Sequence, residues 1–302
     1  MPEPNTLPDA DRLTRFLLPE AGVRGVRVHL DDTWRQIRGR SDYAPAVAEL
    51  LGEASAAAAL FTGHAKVEGR LSIQLRGEGA LRTLFAECTA AGTLRGIART
   101  SDDGAEVSRD LQSLGGNPLL AVTIENPGTG AREPVRYQGL VPVESASLSE
   151  AFEGYFAQSE QLPTRLLLAV DDSAAAGLML QKLPGDAGDA DGWNRASTLF
   201  DTVTSEELLS LPAGELLRRL FHEEAVEILA ERPLAFACSC SRDRVAAMLE
   251  SLGAEEAYAS LSDGHMGVRC EFCGQDYRFE RTDLDALFTA AGIQSEAPER
   301  IQ

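Results

Sequence analysis

Cys238-Ser239-Cys240, then twenty-nine residues, then Cys270-Glu271-Phe272-Cys273-Gly274 is the pattern on which the reading of this chain turns. Two close cysteine pairs at that separation predict a four-thiolate zinc site, with Cys238, Cys240, Cys270 and Cys273 holding one Zn²⁺. In a strand, residues i and i+2 point the same way, so Phe236, Cys238 and Cys240 are expected on one face. Gly274 permits the positive φ that closes a Cys-x-x-Cys knuckle. Four thiolates around a dication leave a net charge of −2, which Arg242, Arg244, Arg269 and Arg278 are placed to offset. His265, five residues before Cys270, is a weaker alternative ligand. Such a site can be a permanent staple or a switch, because thiolates that hold zinc can also be oxidised. Within-pair disulfides, Cys238–Cys240 and Cys270–Cys273, are the products a switch could form. A ring closed by residues i and i+2 is small and strained, which favours reversibility. Spacing alone leaves both readings open.

The rest of the chain narrows the setting. Its 302 residues suffice for about two domains. Acidic residues outnumber basic ones, 47 to 28, for a formal charge of −19. That balance opposes binding to a phosphate backbone, so no nucleic-acid partner is expected. No apolar run reaches the ~20 residues of a membrane span, and Met1-Pro2-Glu3-Pro4-Asn5 does not begin a signal peptide. The expected setting is therefore the cytoplasm, off the membrane, where thiols stay reduced and a cysteine cluster favours metal over disulfide.

The expected architecture is α+β, with a mainly antiparallel N-terminal sheet and helices, a helical linker and a small C-terminal four-cysteine zinc domain. Residues 1–184 form the first part. Val26, Val28 and Leu30 alternate as a strand, and Ala44 to about Phe61 reads as a helix. Strands follow at Leu71–Leu75, Leu81–Cys88, Leu94–Arg99, Leu119–Glu125 and Val135–Val143, with short turns at Gly77-Glu78-Gly79, Ala91-Gly92 and Asn126-Pro127-Gly128 that imply an antiparallel sheet. Ser147 with Glu150 predicts a capped helix to about Ser159, followed by strands at Arg165–Val170 and Gly177–Gln181. The turn-rich stretch from Pro184 to Gly192 opens an acidic helical linker, residues 185–231. Residues 186–231 carry eleven acidic and three basic side chains, a net of −8. Leu216, Leu217, Leu220 and Phe221 make an apolar stripe there. Residues 232–302 hold the zinc domain and a C-terminal tail. Roughly sixty residues make a marginal core, so removing zinc is expected to unfold this unit.

Other chemistry is sparse. Cys88, within Leu84-Phe85-Ala86-Glu87-Cys88, reads as a small buried residue. His29, His64 and His222 have no partner pattern. Cys270 and Cys273 could be a thiol-exchange pair, but no βαβ context surrounds them. The chain holds no Walker, GxSxG or HExxH motif, and no enzyme is expected.

Several short motifs together resemble one family. They are Val23-Arg24-Gly25, Leu50-Leu51-Gly52-Glu53-Ala54, Tyr137-Gln138-Gly139, Ser159-Glu160-Gln161-Leu162-Pro163-Thr164, Phe221-His222-Glu223-Glu224 and Leu252-Gly253-Ala254-Glu255-Glu256, with Cys238-Ser239-Cys240-Ser241-Arg242 and Cys270-Glu271-Phe272-Cys273. The chain resembles the redox-regulated heat-shock chaperones, the bacterial thirty-three-kilodalton chaperonin family. Ala257 stands where a larger apolar residue is expected, and Cys88 lies outside the signature. The resemblance implies an ATP-independent holdase. When reduced, the four cysteines would bind zinc and the chaperone would be inactive. Oxidation would form the two within-pair disulfides, release zinc, unfold the C-terminal unit and linker, and expose apolar surface to unfolding clients under oxidative and heat stress. It also implies a homodimer when oxidised. The competing reading is a constitutive zinc-ribbon protein-interaction module.

Overall fold

The computed structural model describes residues 10–295 except 116, 129–132 and 186, with side chains through residue 289. The N-terminal Met1-Pro2-Glu3-Pro4-Asn5, Asp186 of the acidic break and the tail beyond 295 lie outside the described residues. The chain divides into two units, Met1–Ala237 and Cys238–Gln302.

The first unit opens with β1 (Arg12–Leu18), β2 (Val23–Leu30), α1 (Asp32–Arg38) and α2 (Pro45–His64). The strands β3 (Arg70–Arg76), β4 (Leu81–Thr89), β5 (Thr93–Thr100), β6 (Leu119–Asn126) and β7 (Val135–Val141) follow. Next come α3 (Leu148–Ser159), β8 (Thr164–Val170) and β9 (Ala175–Lys182). Then α4 (Gly192–Phe200), α5 (Ser205–Ser210), α6 (Ala213–Leu220), β10 (Glu227–Pro233) and β11 (Ala235–Phe236) complete it. The strands make two sheets. One has the order β10-β1-β2-β9-β8 and is antiparallel throughout. The other has the order β11-β5-β4-β3-β6-β7, antiparallel except where β11 runs parallel to β5.

Helix α2 organises this unit. Its alanines and leucines are strong helix formers, and Pro45 sits in the first turn, where its missing N–H costs nothing. Residues Val47 to Gly63 are buried except Glu49, so the helix is covered on all sides. It packs against strands of both sheets. Small residues make room: a Cβ on Gly177 of β9 would stand 2.6 Å from Leu60 Cδ1. By length and composition α2 could cross a bilayer, contrary to the expectation that no run reaches that length; 89% of its apolar window is buried inside the protein.

Helices α4, α5 and α6 cover the other face of the five-stranded sheet. Both faces of that sheet are therefore apolar, and β9 is buried at seven consecutive positions instead of alternating. Leu216, Leu217, Leu220 and Phe221 are buried in the resulting core with Phe16, Leu18, Leu178 and Leu180. Arg27 Nη2 donates to the Leu211 carbonyl at 2.6 Å, and His29 Nε2 lies 2.9 Å from the Leu209 carbonyl. The acidic stretch is thus helical to Leu220 and shares the first unit's core. It then becomes β10, paired to β1, a strand that the acidic pattern concealed. The boundary of the second unit falls after Ala237, a few residues beyond the expected 232.

The second unit contains α7 (Arg242–Leu252), α8 (Ala254–Ala259), the antiparallel hairpin β12 (His265–Arg269) and β13 (Asp276–Glu280), and α9 (Arg281–Ser295). Ser241 caps α7, its Oγ accepting from the Arg244 N–H at 3.2 Å. Among the described residues its core is Val245, Leu249, Ala257, Met266, Phe279 and Leu284. Ala257 is fully buried there.

Candidate metal centre

Two loops of the second unit supply the four sulfurs. Cys238-Ser239-Cys240 lies between β11 and α7 but outside any strand, so the strand geometry expected for this pair is not what aligns them. Instead Arg244 Nη1 donates to the Ser239 carbonyl at 2.8 Å, and the capped start of α7 anchors the following residue. Cys270 and Cys273 lie in the loop joining β12 to β13. The Gly274 N–H donates to the Cys270 carbonyl at 2.7 Å, and the Cys270 N–H to the Gln275 carbonyl at 2.8 Å. Gly274 has φ +72°, the conformation expected of it.

The four Sγ atoms all lie within 4.8 Å of one another. Cys238 and Cys270 sulfurs are 3.6 Å apart, and those of Cys240 and Cys273 are 3.3 Å apart. Sulfurs about 2.3 Å from a common tetrahedral zinc stand ~3.8 Å apart, so the set matches a Zn²⁺ centre in both size and donor chemistry. His265 is not among these ligands. It sits on β12 with Nδ1 3.4 Å from the Asp263 carbonyl.

Electrostatics point the same way. Burial opposes ionisation of Cys240, but the Tyr277 hydroxyl and the neighbouring sulfurs overcome it and bring the thiol down to about 7. Burial, reinforced by the adjacent sulfurs, pushes Cys273 up to about 12. Burial also raises Cys238. Bare thiols here lose a proton readily at Cys240 and hold it at Cys273, because burial disfavours charge and the sulfurs share protons by hydrogen bonding. A dication removes that conflict and lets all four ionise together.

Of the four arginines near the cluster, Arg242 pairs with Asp283 at 2.9 Å and stacks 4.2 Å from the Phe279 ring centre. Arg244 holds the Ser239 carbonyl. Arg278 offers its carbonyl to Arg242 Nη1 at 2.6 Å. Arg269 Nη2 lies about one contact distance from the Gly274 position. Their roles lie in shaping the loops around the sulfurs.

The sequence reading missed Tyr277. It lies on β13 opposite Val268, packs its ring against the second unit's core, and donates its hydroxyl to Cys240 Sγ at 3.1 Å. A tyrosine four residues after a Cys-x-x-Cys could have signalled a thiolate donor, but at an inward strand position it reads as core. Cys88 is fully buried on β4, and burial pushes its thiol up to about 11, as befits an inert core thiol. His29 pins the α5 segment, His64 lies against Arg24 at 3.1 Å, and His222 is exposed.

Fold and site together define a two-part protein, an α+β body followed by a small module with four clustered cysteines able to hold a metal ion. A family model described as Hsp33 protein matches residues 11–280. The 33 kDa chaperonin of Ectopseudomonas mendocina is 44% identical over 293 residues, covering 95% of this chain and 97% of that protein. That of Nitrosococcus oceani is 44% identical over 280 residues, covering 92% and 94%. The crystal structure of the 33 kDa chaperonin (heat shock protein 33 homolog) from Thermotoga maritima shares the fold, with a TM-score of 0.75 at 21% identity over 94% of this chain and 99% of that one. The chain belongs to the Hsp33 family, a family of chaperones and not of enzymes.

Proposed function

We propose that this protein is a redox-regulated, ATP-independent holdase that is switched on by oxidation of its four clustered cysteines. One observation carries the proposal. The four sulfurs converge within 4.8 Å in a unit whose described core is six residues. A unit that small depends on what the sulfurs hold.

Cys238, Cys240, Cys270 and Cys273 would hold one Zn²⁺, which when bound cross-links the two loops. Each disulfide takes two electrons from two thiolates and passes them to one hydrogen peroxide, giving two hydroxides. Two peroxides therefore convert the quartet to Cys238–Cys240 and Cys270–Cys273. The sulfurs then carry no thiolate charge and no longer suit the dication. The second unit, left on its six-residue core, loosens. The within-pair assignment rests on the family resemblance. Two sulfur contacts of the reduced cluster, Cys238–Cys270 and Cys240–Cys273, run between the loops, as a tetrahedral site requires.

Client binding requires apolar surface that the reduced form hides. Leu216, Leu217, Leu220 and Phe221 supply it if α4–α6 leave the sheet after oxidation. Clients are unfolding, aggregation-prone proteins of the cytoplasm, and the oxidised chaperone acts as a homodimer.

The test follows three signals during peroxide treatment with mild heat: zinc release, far-UV circular dichroism, and suppression of aggregation of a thermally unfolding client. The switch requires all three to change together. Retained zinc with unchanged client binding would instead identify a constitutive zinc-ribbon interaction module.

A further inference from the structure

We infer that Tyr277 is a positioning residue for the switch, its hydroxyl restraining the Cys240 sulfur and slowing the reaction of that sulfur with peroxide. The inference rests on the redox reading above and adds a residue to it.

Three observations carry it. The Tyr277 hydroxyl donates to Cys240 Sγ at 3.1 Å. The donor is fixed in place, because Tyr277 is paired with Val268 across the β12–β13 hairpin and its ring packs against the unit's core. At Cys238 and Cys273 the partners include backbone N–H groups, those of Cys240 and Gln275, beside the neighbouring sulfurs. A backbone donor belongs to the knuckle and is present whatever side chain stands there. The Tyr277 hydroxyl is a side-chain choice that one substitution removes without altering the fold of either loop.

The chemistry assigns the direction. In the reaction the Cys240 thiolate attacks one oxygen of hydrogen peroxide. The S–O bond forms as the O–O bond breaks, and hydroxide leaves. A second thiolate then displaces hydroxide from that sulfenic acid, forming the S–S bond. The first step spends a sulfur lone pair. A hydroxyl bonded to that lone pair stabilises the thiolate and lowers its nucleophilicity, which tracks about half of the change in basicity. For a charge-assisted hydrogen bond the resulting retardation is about three- to tenfold. The same hydroxyl occupies one approach to the sulfur. Tyr277 thus lets the centre ignore low oxidant levels and respond to high ones.

The experiment uses zinc-loaded, reduced full-length protein. Tyr277→Phe keeps the ring and removes the hydroxyl. Tyr258→Phe is the control, because Tyr258 lies in the same unit and donates to Asp285 at 2.6 Å and not to sulfur. Oxidation at Cys240 is followed by mass spectrometry of quenched samples, with zinc release recorded in parallel. Tyr277→Phe should speed Cys240 oxidation about three- to tenfold, and Tyr258→Phe should not. In cobalt-loaded protein, Tyr277→Phe should move the thiolate-to-cobalt charge-transfer band to longer wavelength. Should Tyr277→Phe hold metal poorly, 3-fluorotyrosine at position 277 supplies the opposite test. Its more acidic hydroxyl donates more strongly and should slow the reaction. Equal Cys240 rates in Tyr277→Phe and the unsubstituted protein, or equal acceleration in both variants, would overturn the inference and leave the switch standing. Zinc retained under peroxide by the unsubstituted protein would overturn the switch itself.

Discussion

The two units of this chain solve the problem of cohesion differently. The first surrounds a helix with two sheets and buries Leu60, Phe61 and Phe152 among dozens of apolar neighbours. The second gathers six buried residues and four sulfurs. Apolar packing is non-directional and insensitive to oxidants, whereas metal–thiolate bonding is strong and chemically reversible. The contrast teaches where a redox signal can act: on the unit whose cohesion is made of thiolates.

Removing zinc should produce the largest asymmetry. Structural zinc contributes on the order of 10 kcal/mol in small metal-dependent domains. Chelation of the reduced protein, or Cys273→Ser, should abolish hydrogen-exchange protection after Ala237 and leave α2 and its sheets protected. Loss of protection in both units at once would erase the distinction. Next in size, Leu60→Ala should cost about 2–5 kcal/mol in the first unit by leaving a cavity against Gly177. Zinc affinity, measured by competition with a chelator, should not move with it.

The first unit also carries a pH signature. Glu53, buried on α2, is pushed up to about 7, chiefly by burial, against the opposing charge of Arg109. Its folded pKa exceeds its unfolded value, so the ionised form is the disfavoured one. That destabilisation is full above pH 7 and fades as pH falls toward the unfolded value of about 4.5, a change on the order of 2–3 kcal/mol. His64 acts the other way, because burial lowers its pKa and the unfolded chain takes up the proton first below about 6.5. Denaturant titrations of Glu53→Gln and the unsubstituted protein should therefore differ by a gap that closes on acidification. A gap independent of pH would remove Glu53 as its source. The smallest effect concerns α5, whose Thr204 and Glu207 form a reciprocal capping box. Thr204→Ala should cost ~1 kcal/mol. Because α5 packs over the client-binding candidates' core, hydrogen exchange in 205–221 should rise and oxidative activation should begin at lower temperature.

What the sequence disclosed follows from the reach of each interaction. The cysteine quartet was legible because thiolate spacing encodes its own chemistry. The β3–β4 and β4–β5 hairpins were legible because their turns are short, and apolar residues alternate clearly along β3 and β5. In the five-stranded sheet β2, β8 and β9 were legible from their apolar residues while β1 was not read, and β10 escaped because Glu227–Pro233 is nearly all exposed. The expected capping box at Ser147 is present as the serine half, with Oγ accepting from the Glu150 N–H at 3.2 Å. The reciprocal box lies at Thr204, inside the stretch read as linker. Tyr277 could not be found from spacing, since its meeting with Cys240 is made across thirty-seven positions of chain.

Helix α2 has one more consequence. A helix with a wet face can survive when one neighbour departs, but a helix sheathed on every side has no tolerable intermediate. Peeling either sheet from α2 would bare an alanine-and-leucine cylinder to water, so α2 and the sheet faces that enclose it should come apart all at once or not at all, even where α4–α6 leave the outer face of the five-stranded sheet. That indivisibility confines disorder. Loss of the second unit's order therefore leaves the α2-centred core of the first intact, and a chaperone is thereby protected from unfolding with its clients.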